Sequence, residues 1–214
     1  MSKREISMAK SKLKVLTALL DEMKEEDFEV IKISSLCESA AVSQASFYNY
    51  FPQKTDILVY YIQLWAVEMY WRTSVEKKLH GLNAIRHLFN QTAGLCVSHS
   101  NLLTEIISLQ VKTKKIVNKN PLTAADKLVS FPNLCGIESV VVQDLKDILS
   151  IYVKQATDNQ ELPKSSNVTT LITSLSAIFF TVPILFNQCS EEAIKEAFDN
   201  QLNLFMYGAA SHGA

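Results

Sequence analysis

The chain has 214 residues, of which 48% are hydrophobic and 20% are charged, and this composition excludes a disordered tail or a disulfide-stapled miniprotein. Only five glycines and five prolines occur, so the composition disfavours turn-rich β architectures and predicts an all-α fold. The net charge of −1 excludes a basic field over the whole molecule, so a nucleic-acid partner would have to meet a local patch.

The first predicted helix covers residues 8–23, where apolar residues recur at steps of three and four. Charge is polarised along this part of the chain. Residues 1–14 are mainly basic, whereas residues 21–29 are mainly acidic. The basic end is suited to phosphate, with the alternative that the stretch around Lys3 and Arg4 is a disordered tail.

Two short helices are predicted next, at residues 34–40 and 44–50, and each is too short to be stable without a neighbour. The three residues between them match the tight connection of a helix-turn-helix. Ser43 stands where an N-cap is expected for the second helix. Phe47 and Phe51 lie four residues apart, so we expect both to anchor its inner face and to leave a short, polar, uncharged outer face.

That outer face has the side chains that suit entry into the major groove of DNA. Glutamine and asparagine can pair with adenine, and a methyl group can touch thymine. Hydroxyl groups and a lysine can hold phosphate oxygens. The predicted DNA contacts are Ser43, Gln44, Ala45, Ser46, Tyr48, Asn49, Tyr50 and Lys54. The alternatives are that the amide side chains and the lysine are only solvated and that the two tyrosines only pack.

Longer helices are predicted after Pro52, without another motif of comparable strength. They cover residues 55–78, 83–98, 102–118, 138–157, 168–187 and 191–207, with a break across 120–136. We therefore expect a DNA-binding domain at residues 1–54 and a larger helical domain at residues 55–214.

The location of the protein is predicted from three features of the sequence. The basic N-terminus lacks the apolar stretch of a signal peptide. The most apolar run, residues 171–186, is shorter than the roughly 20 residues that cross a bilayer, which favours a buried helix over a membrane span. No C-x-x-C pair occurs among the four cysteines, so reduced thiols are expected. Together these features predict a cytoplasmic protein without a membrane partner.

Residues 28–58 resemble the DNA-binding region of the TetR (tetracycline-repressor) family of bacterial regulators. The matching positions are Phe28, Ile33, Leu36, Cys37, Ala40, Ala41, Val42, Ser43, Ala45, Ser46, Phe47, Tyr48, Tyr50, Phe51 and Lys54. The resemblance implies a homodimer that holds two recognition helices about 34 Å apart and binds a palindromic operator. It also implies a repressor that a small effector releases from double-stranded DNA.

The sequence departs from the family pattern near the turn. Ala41 stands where glycine is usual, and alanine costs about 1 kcal/mol there if the turn needs a positive φ. Ile31 and Lys32 replace the threonines that commonly cap the first short helix, so Ser34 or Ser35 is expected to cap it.

In the larger domain, the resemblance implies an effector pocket and a dimer formed through the last two helices. The effector is expected to be small and apolar or amphipathic, and the candidate contacts are Tyr61, Trp65, Phe89 and Gln110. The alternative is a large domain that binds a protein partner and no small ligand. Motifs of hydrolases, metalloproteases and phosphate-binding loops are missing from the sequence, so no enzyme, cofactor or metal is predicted.

Overall fold

The computed structural model describes residues 1–112, 121–163 and 167–211, and these residues form helices and connecting loops without any strand. The helices are α1 (Lys3–Glu22), α2 (Ile33–Ser39), α3 (Gln44–Tyr50), α4 (Thr55–Tyr70), α5 (Gly81–Ser98), α6 (Ser100–Lys112), α7 (Ala124–Ser130), α8 (Leu145–Asp158), α9 (Val168–Leu185) and α10 (Glu191–Ser211). The predicted all-α fold class is confirmed.

Packing divides the chain into two compact units. The first contains Met1–Glu68 and Asn101–Gln143, and the second contains Met69–Ser100 and Asp144–Ala214. The predicted division into a DNA-binding domain at residues 1–54 and a larger domain at residues 55–214 stays a prediction.

Helix α1 begins five residues earlier than the sequence pattern suggested, because Ser2 and Glu5 form a capping box. Ser2 Oγ accepts a hydrogen bond from the Glu5 amide at 3.2 Å, and the Ser2 amide donates to Glu5 Oε2 at 2.6 Å. These hydrogen bonds from Ser2 lower the pKa of the Glu5 carboxyl. Lys3 and Arg4 therefore lie in the first helical turn, and the alternative of a disordered tail is wrong.

The two phenylalanines of α3 anchor the helix as predicted. Phe47 is completely buried and Phe51 is 2% exposed, and their ring centroids lie 5.8 Å apart. Leu36 and Ala40 of the preceding segment belong to the same buried cluster, and Val42 packs against it. Helices of seven residues thus gain their stability from a shared core rather than from their own length.

The predicted cap of α2 is wrong. Lys32 occupies the N-cap position, and no side chain caps the helix. Ser35 instead donates from its hydroxyl to Glu22 Oε1 at 2.6 Å, because the end of α1 brings a carboxylate within reach. Tertiary packing has replaced local capping here.

Ala41 adopts the left-handed conformation, with φ at 52°, in the turn between α2 and α3. The turn therefore has the positive φ at which alanine is expected to be costly. Because a Cβ is strained in this region, we expect Ala41→Gly to raise the free energy of unfolding by up to about 1 kcal/mol, despite the greater backbone freedom of glycine when unfolded. Urea denaturation measures this change. Gly136 also has a positive φ, of 77°, so Gly136→Ala should change stability in the opposite direction and serves as the control.

Residues 121–143 differ most from the sequence prediction. Thr123 and Asp126 form a capping box that starts α7 where only a break was predicted. A 3-10 turn at Ile137–Ser139 follows, and α8 begins only at Leu145, capped by Asp144. The predicted helix over 138–157 is therefore wrong up to residue 144. The predicted end of the preceding helix, residues 113–118, lies outside the described residues.

Helix α7 packs against α1 through a buried ion pair. Lys12 Nζ lies 2.8 Å from Asp126 Oδ1, and the two side chains are 11% and 1% exposed. Tyr60 of α4 donates its hydroxyl proton to the same oxygen at 3.3 Å, and Lys12 Nζ lies 4.6 Å from the centroid of the Tyr60 ring. Burial, followed by the nearby Asp126 charge, raises the pKa of the Tyr60 hydroxyl, so it remains a neutral donor. Three helices of the first unit thus meet at one carboxylate.

The second unit is built from α5, α8, α9 and α10. Phe89 of α5 lies at its centre, with its ring centroid 5.3 Å from those of Phe179 and Phe198. Helix α5 agrees with the long helix predicted over residues 83–98. The predicted helix over residues 55–78 is only partly α-helical, since α4 passes into a π-helical segment at Trp71–Glu76.

Helix α9 is unusually apolar for the amount of it that is buried. By length and composition it is long enough to cross a membrane, although single helices of this kind also occur in the cores of soluble proteins. Only 33% of its residues are buried within this chain. Large apolar side chains remain exposed at its end and on α10: Ile184, Leu185, Leu204 and Tyr207. A substantial apolar surface of the second unit is therefore left uncovered by the described residues of this chain.

Candidate nucleic-acid interface

Helix α3 starts from a serine cap, as predicted. Ser43 Oγ accepts a hydrogen bond from the Ser46 amide at 3.1 Å and lies 2.9 Å from Ser46 Oγ, to which it donates. The Ser43 backbone is extended and turns the chain directly into the helix. This cap and the buried Phe47 together fix how α3 is rotated on the first unit.

With the helix rotated in this way, most of the predicted DNA contacts face outward. Ser43, Gln44, Ala45 and Asn49 are exposed, and Tyr48 is 50% exposed. The Tyr48 ring meets Phe47 edge to face at 5.4 Å, which supports the ring and leaves its hydroxyl free to reach outward. The structure therefore gathers a polar, uncharged surface along one side of α3.

Two of the predicted contacts are only partly exposed. Ser46 is half-buried and is hydrogen-bonded to Ser43. Tyr50 is half-buried and packs against the core of the first unit. This agrees with the alternative that Tyr50 only packs. Because part of the side chain is exposed, a phosphate contact by Tyr50 stays a prediction.

Lys54 is held firmly inside the first unit. Its ammonium donates to the main-chain carbonyl oxygens of Phe28 at 2.6 Å, Ile31 at 2.8 Å and Glu29 at 3.2 Å. It also lies 4.5 Å from the centroid of the Phe28 ring. All three N–H donors therefore have partners, and Lys54 positions the loop that leads into α2. A phosphate contact by Lys54 would have to replace one of these carbonyls.

The four predicted effector contacts occupy different environments. Tyr61 and Trp65 are half-buried on α4, and Gln110 is exposed on α6, all within the first unit. Burial, and then the Glu68 charge, raises the pKa of the Tyr61 hydroxyl. Phe89 is fully buried in the aromatic cluster of the second unit. Their role as an effector site stays a prediction.

Metal-binding clusters are missing from the described residues, since no three of their His, Cys, Asp or Glu side chains could jointly hold an ion. Cys96 donates its thiol proton to the Thr92 carbonyl at 3.2 Å, and His99 Nδ1 lies 2.8 Å from Ser98 Oγ. Each of these side chains therefore has a partner within its own helix or at its end.

No protein-family model matches this chain, and no curated protein matches it by sequence. Its structure is similar to that of Thermus thermophilus FadR, a TetR family transcriptional repressor in complex with lauroyl-CoA. The match has 17% identity, covers 92% of this chain and 94% of that chain, and has a TM-score of 0.62. This chain has the TetR fold.

A TetR family transcriptional regulator from Chloroflexus aurantiacus J-10-FL is also similar, with 16% identity, 92% coverage of each chain and a TM-score of 0.48. The similarity to FadR confirms the predicted resemblance at the level of the TetR fold. Helices α2 and α3, with the turn between them, cover residues 33–50.

Sequence reasoning missed the ion pair that joins α7 to α1 in this chain. The helical pattern of residues 8–23 predicts no buried role for Lys12, although it lies three residues after the buried Ala9 and four before the buried Leu16. That spacing places Lys12 on the buried stripe. A charged residue on such a stripe indicates a buried partner, even when the sequence does not say which one.

Proposed function

We propose that this chain is a DNA-binding transcription regulator, most simply a repressor, that binds a palindromic operator as a homodimer. The observation that carries the proposal is the exposed, uncharged face of α3, supported from below by the buried Phe47. The TetR fold supports it, because FadR of that fold is a transcriptional repressor.

The chemistry of α3 fits base recognition better than non-specific attraction. Gln44 and Asn49 each carry an amide with a donor and an acceptor side by side. This pattern pairs with the edge of adenine in the major groove. Ala45 presents a methyl group between them. Since α3 contains no charged residue, discrimination would come from hydrogen bonds and shape rather than from a basic helix.

Selection from a pool of randomised duplexes tests this proposal without assuming any operator sequence. The full chain should enrich a palindrome with half-sites about one duplex turn apart. We expect Gln44→Ala to weaken binding to the selected duplex by about tenfold or more, since one good bidentate contact contributes about 1–3 kcal/mol.

Gln91→Ala is the matched control, because Gln91 is also an exposed helical glutamine but lies on α5 in the second unit. It should leave the affinity unchanged. Enrichment of no common sequence, or equal losses for the two variants, would contradict the proposal.

We further propose that α9 and α10 form the dimer contact. The uncovered apolar side chains at the end of α9 and along α10 support this, since a second copy would bury the same surfaces across a two-fold axis. Burial in a dimer also accounts for the apolar character of α9 in a cytoplasmic protein without a membrane partner.

Leu185 is 72% exposed, and we expect Leu185→Glu to convert the dimer into a monomer at micromolar concentration, because the charge would be buried without a partner. Light scattering coupled to gel filtration should show the mass halved. Val141→Glu is the control, since Val141 is 82% exposed in the first unit and its replacement should leave the mass unchanged. A Leu185→Glu chain that keeps the dimer mass would exclude this contact.

The effector is proposed to be small and apolar or amphipathic, and to favour one of two states of the dimer that differ in DNA affinity. The complex of FadR with lauroyl-CoA supports a ligand of this class. A thermal-shift screen with acyl-CoA thioesters and free fatty acids tests it. Lack of any shift, together with capture of a defined protein by the second unit, would favour the alternative of a protein partner.

A further inference from the structure

Two thiols line one cavity in the second unit. The cavity has a volume of about 270 Å³ and lies between the end of α5, the end of α9 and the loop that leads into α10. Cys96 enters its wall from α5, and Cys189 enters from the loop. The remaining wall is partly apolar and partly amide: Val97, Ser100, Pro183, Phe186, Asn187, Gln188 and Ile194.

The two thiols differ in accessibility. Cys189 is exposed, so reagents in solution reach it directly. Cys96 is only 7% exposed, and burial raises the pKa of its thiol to about 11. Cys96 is therefore slow to react with free oxidants, and a partner held beside it in the cavity has a large advantage over any reagent in solution.

The loop that bears Cys189 forms one wall of the cavity, opposite α5. It is short and lies outside both α9 and α10, and its Gln188 has a φ of 68°, a strained value for a residue with a Cβ. Closing the cavity would bring the loop onto α5. The cavity is also smaller than the roughly 300–1,000 Å³ of pockets for drug-sized ligands, so it suits a small oxidant.

We infer that Cys96 and Cys189 form a redox pair that closes to an intramolecular disulfide in response to a small peroxide. Cys189 attacks the peroxide oxygen, which gives a sulfenic acid on Cys189 and releases water or an alcohol. The Cys96 thiol then attacks the Cys189 sulfur, forms the S–S bond and releases a second molecule as water. Two thiols lose two electrons and two protons overall, and the peroxide is reduced.

The bond would tie the start of α10 to α5. Glu191, at the first position of α10, already lies beside α5, since a Cβ placed on Gly94 would be 3.4 Å from its carboxylate. The inference goes beyond the proposed function and does not require DNA binding. A negative result for the redox pair would therefore not contradict the proposed DNA binding, and a negative result for DNA binding would not contradict the redox pair.

The experiment treats the reduced full chain with hydrogen peroxide, blocks the remaining thiols with an alkylating reagent and maps the peptides without reduction. The expected product is a linked peptide of Cys96 and Cys189, with a fall in titratable thiols from the four of the reduced chain to the two of Cys37 and Cys135. Cys135→Ser should keep the linked peptide, because Cys135 is also exposed but lies in the first unit.

Cys189→Ser should leave Cys96 reduced under the same treatment, and Cys96→Ala should leave a sulfenic acid on Cys189 that a dimedone probe traps. Circular dichroism of each variant checks that it is folded. The inference is overturned if Cys96 stays reduced in the folded wild-type chain while Cys189 oxidises, or if Cys189 instead links two chains. It is equally overturned if Cys96 oxidises in Cys189→Ser.

Discussion

Replacing Phe47 by alanine should lower the free energy of unfolding by about 3–5 kcal/mol, because the ring is completely buried and its loss leaves a cavity that the surrounding helices cannot fill. The ring contacts Phe51 and Tyr48, so its removal also frees α3 from the core. Urea denaturation followed by circular dichroism measures the change. DNA binding should fall in parallel, since the outer face of α3 is then no longer held in one rotation.

Tyr48→Ala separates the two effects. Tyr48 neighbours Phe47 on the same helix but is half exposed, so its replacement should change stability by less than about 1 kcal/mol. Affinity for the selected duplex should fall in Tyr48→Ala if the tyrosine holds a phosphate, as the sequence predicts. A Phe47→Ala chain as stable as the wild type would mean that the core does not support α3.

Asp126→Ala is expected to lower the free energy of unfolding by about 3–5 kcal/mol, because it leaves the Lys12 ammonium buried without its carboxylate. It also removes the cap of α7, since Asp126 Oδ2 accepts from the Thr123 amide at 2.9 Å and from the Thr123 hydroxyl at 2.8 Å. Lys12→Met removes the cation and should lower the free energy of unfolding by less than Asp126→Ala does. In the double variant Lys12→Met with Asp126→Leu, the loss should be smaller than the sum of the two single losses, because no charge stays buried.

The exposed pair of Lys24 and Asp21 provides the matched control for this cycle. Its side chains are 61% and 60% exposed, with Nζ and Oδ1 2.6 Å apart. Lys24→Met should change stability by less than about 1 kcal/mol, because water replaces the lost partner. Strict additivity in the Lys12 and Asp126 cycle would show that the two side chains are not coupled.

The local features of the helix-turn-helix could be predicted because they depend on nearby residues. The spacing of Phe47 and Phe51 decides which face of α3 is buried, and Ser43 decides where the helix begins. The resemblance to a known pattern singled out Ala41 as the residue that is strained if the turn has a positive φ, and the structure shows that it does. Each of these features involves contacts within about one helical turn or between adjacent short helices.

Features that depend on distant contacts could not be predicted in the same way. The partner of Lys12 lies 114 residues further along the chain, so its identity appears only once α7 is placed on α1. The Thr123 and Asp126 capping box is visible in the sequence, but the break expected around it concealed the short helix. For the effector candidates, helical periodicity marks aromatic residues as buried without distinguishing a pocket from a core.

The internal anchoring of Lys54 affects how the proposed complex would respond to ionic strength. Residues 1–58 hold eight basic and nine acidic side chains. Lys12 and Lys54 are both engaged within the first unit, which leaves few cations to displace the counterions that surround DNA. The logarithm of the binding constant should therefore fall only gently with the logarithm of salt concentration, and operator recognition would persist where strongly basic regulators dissociate.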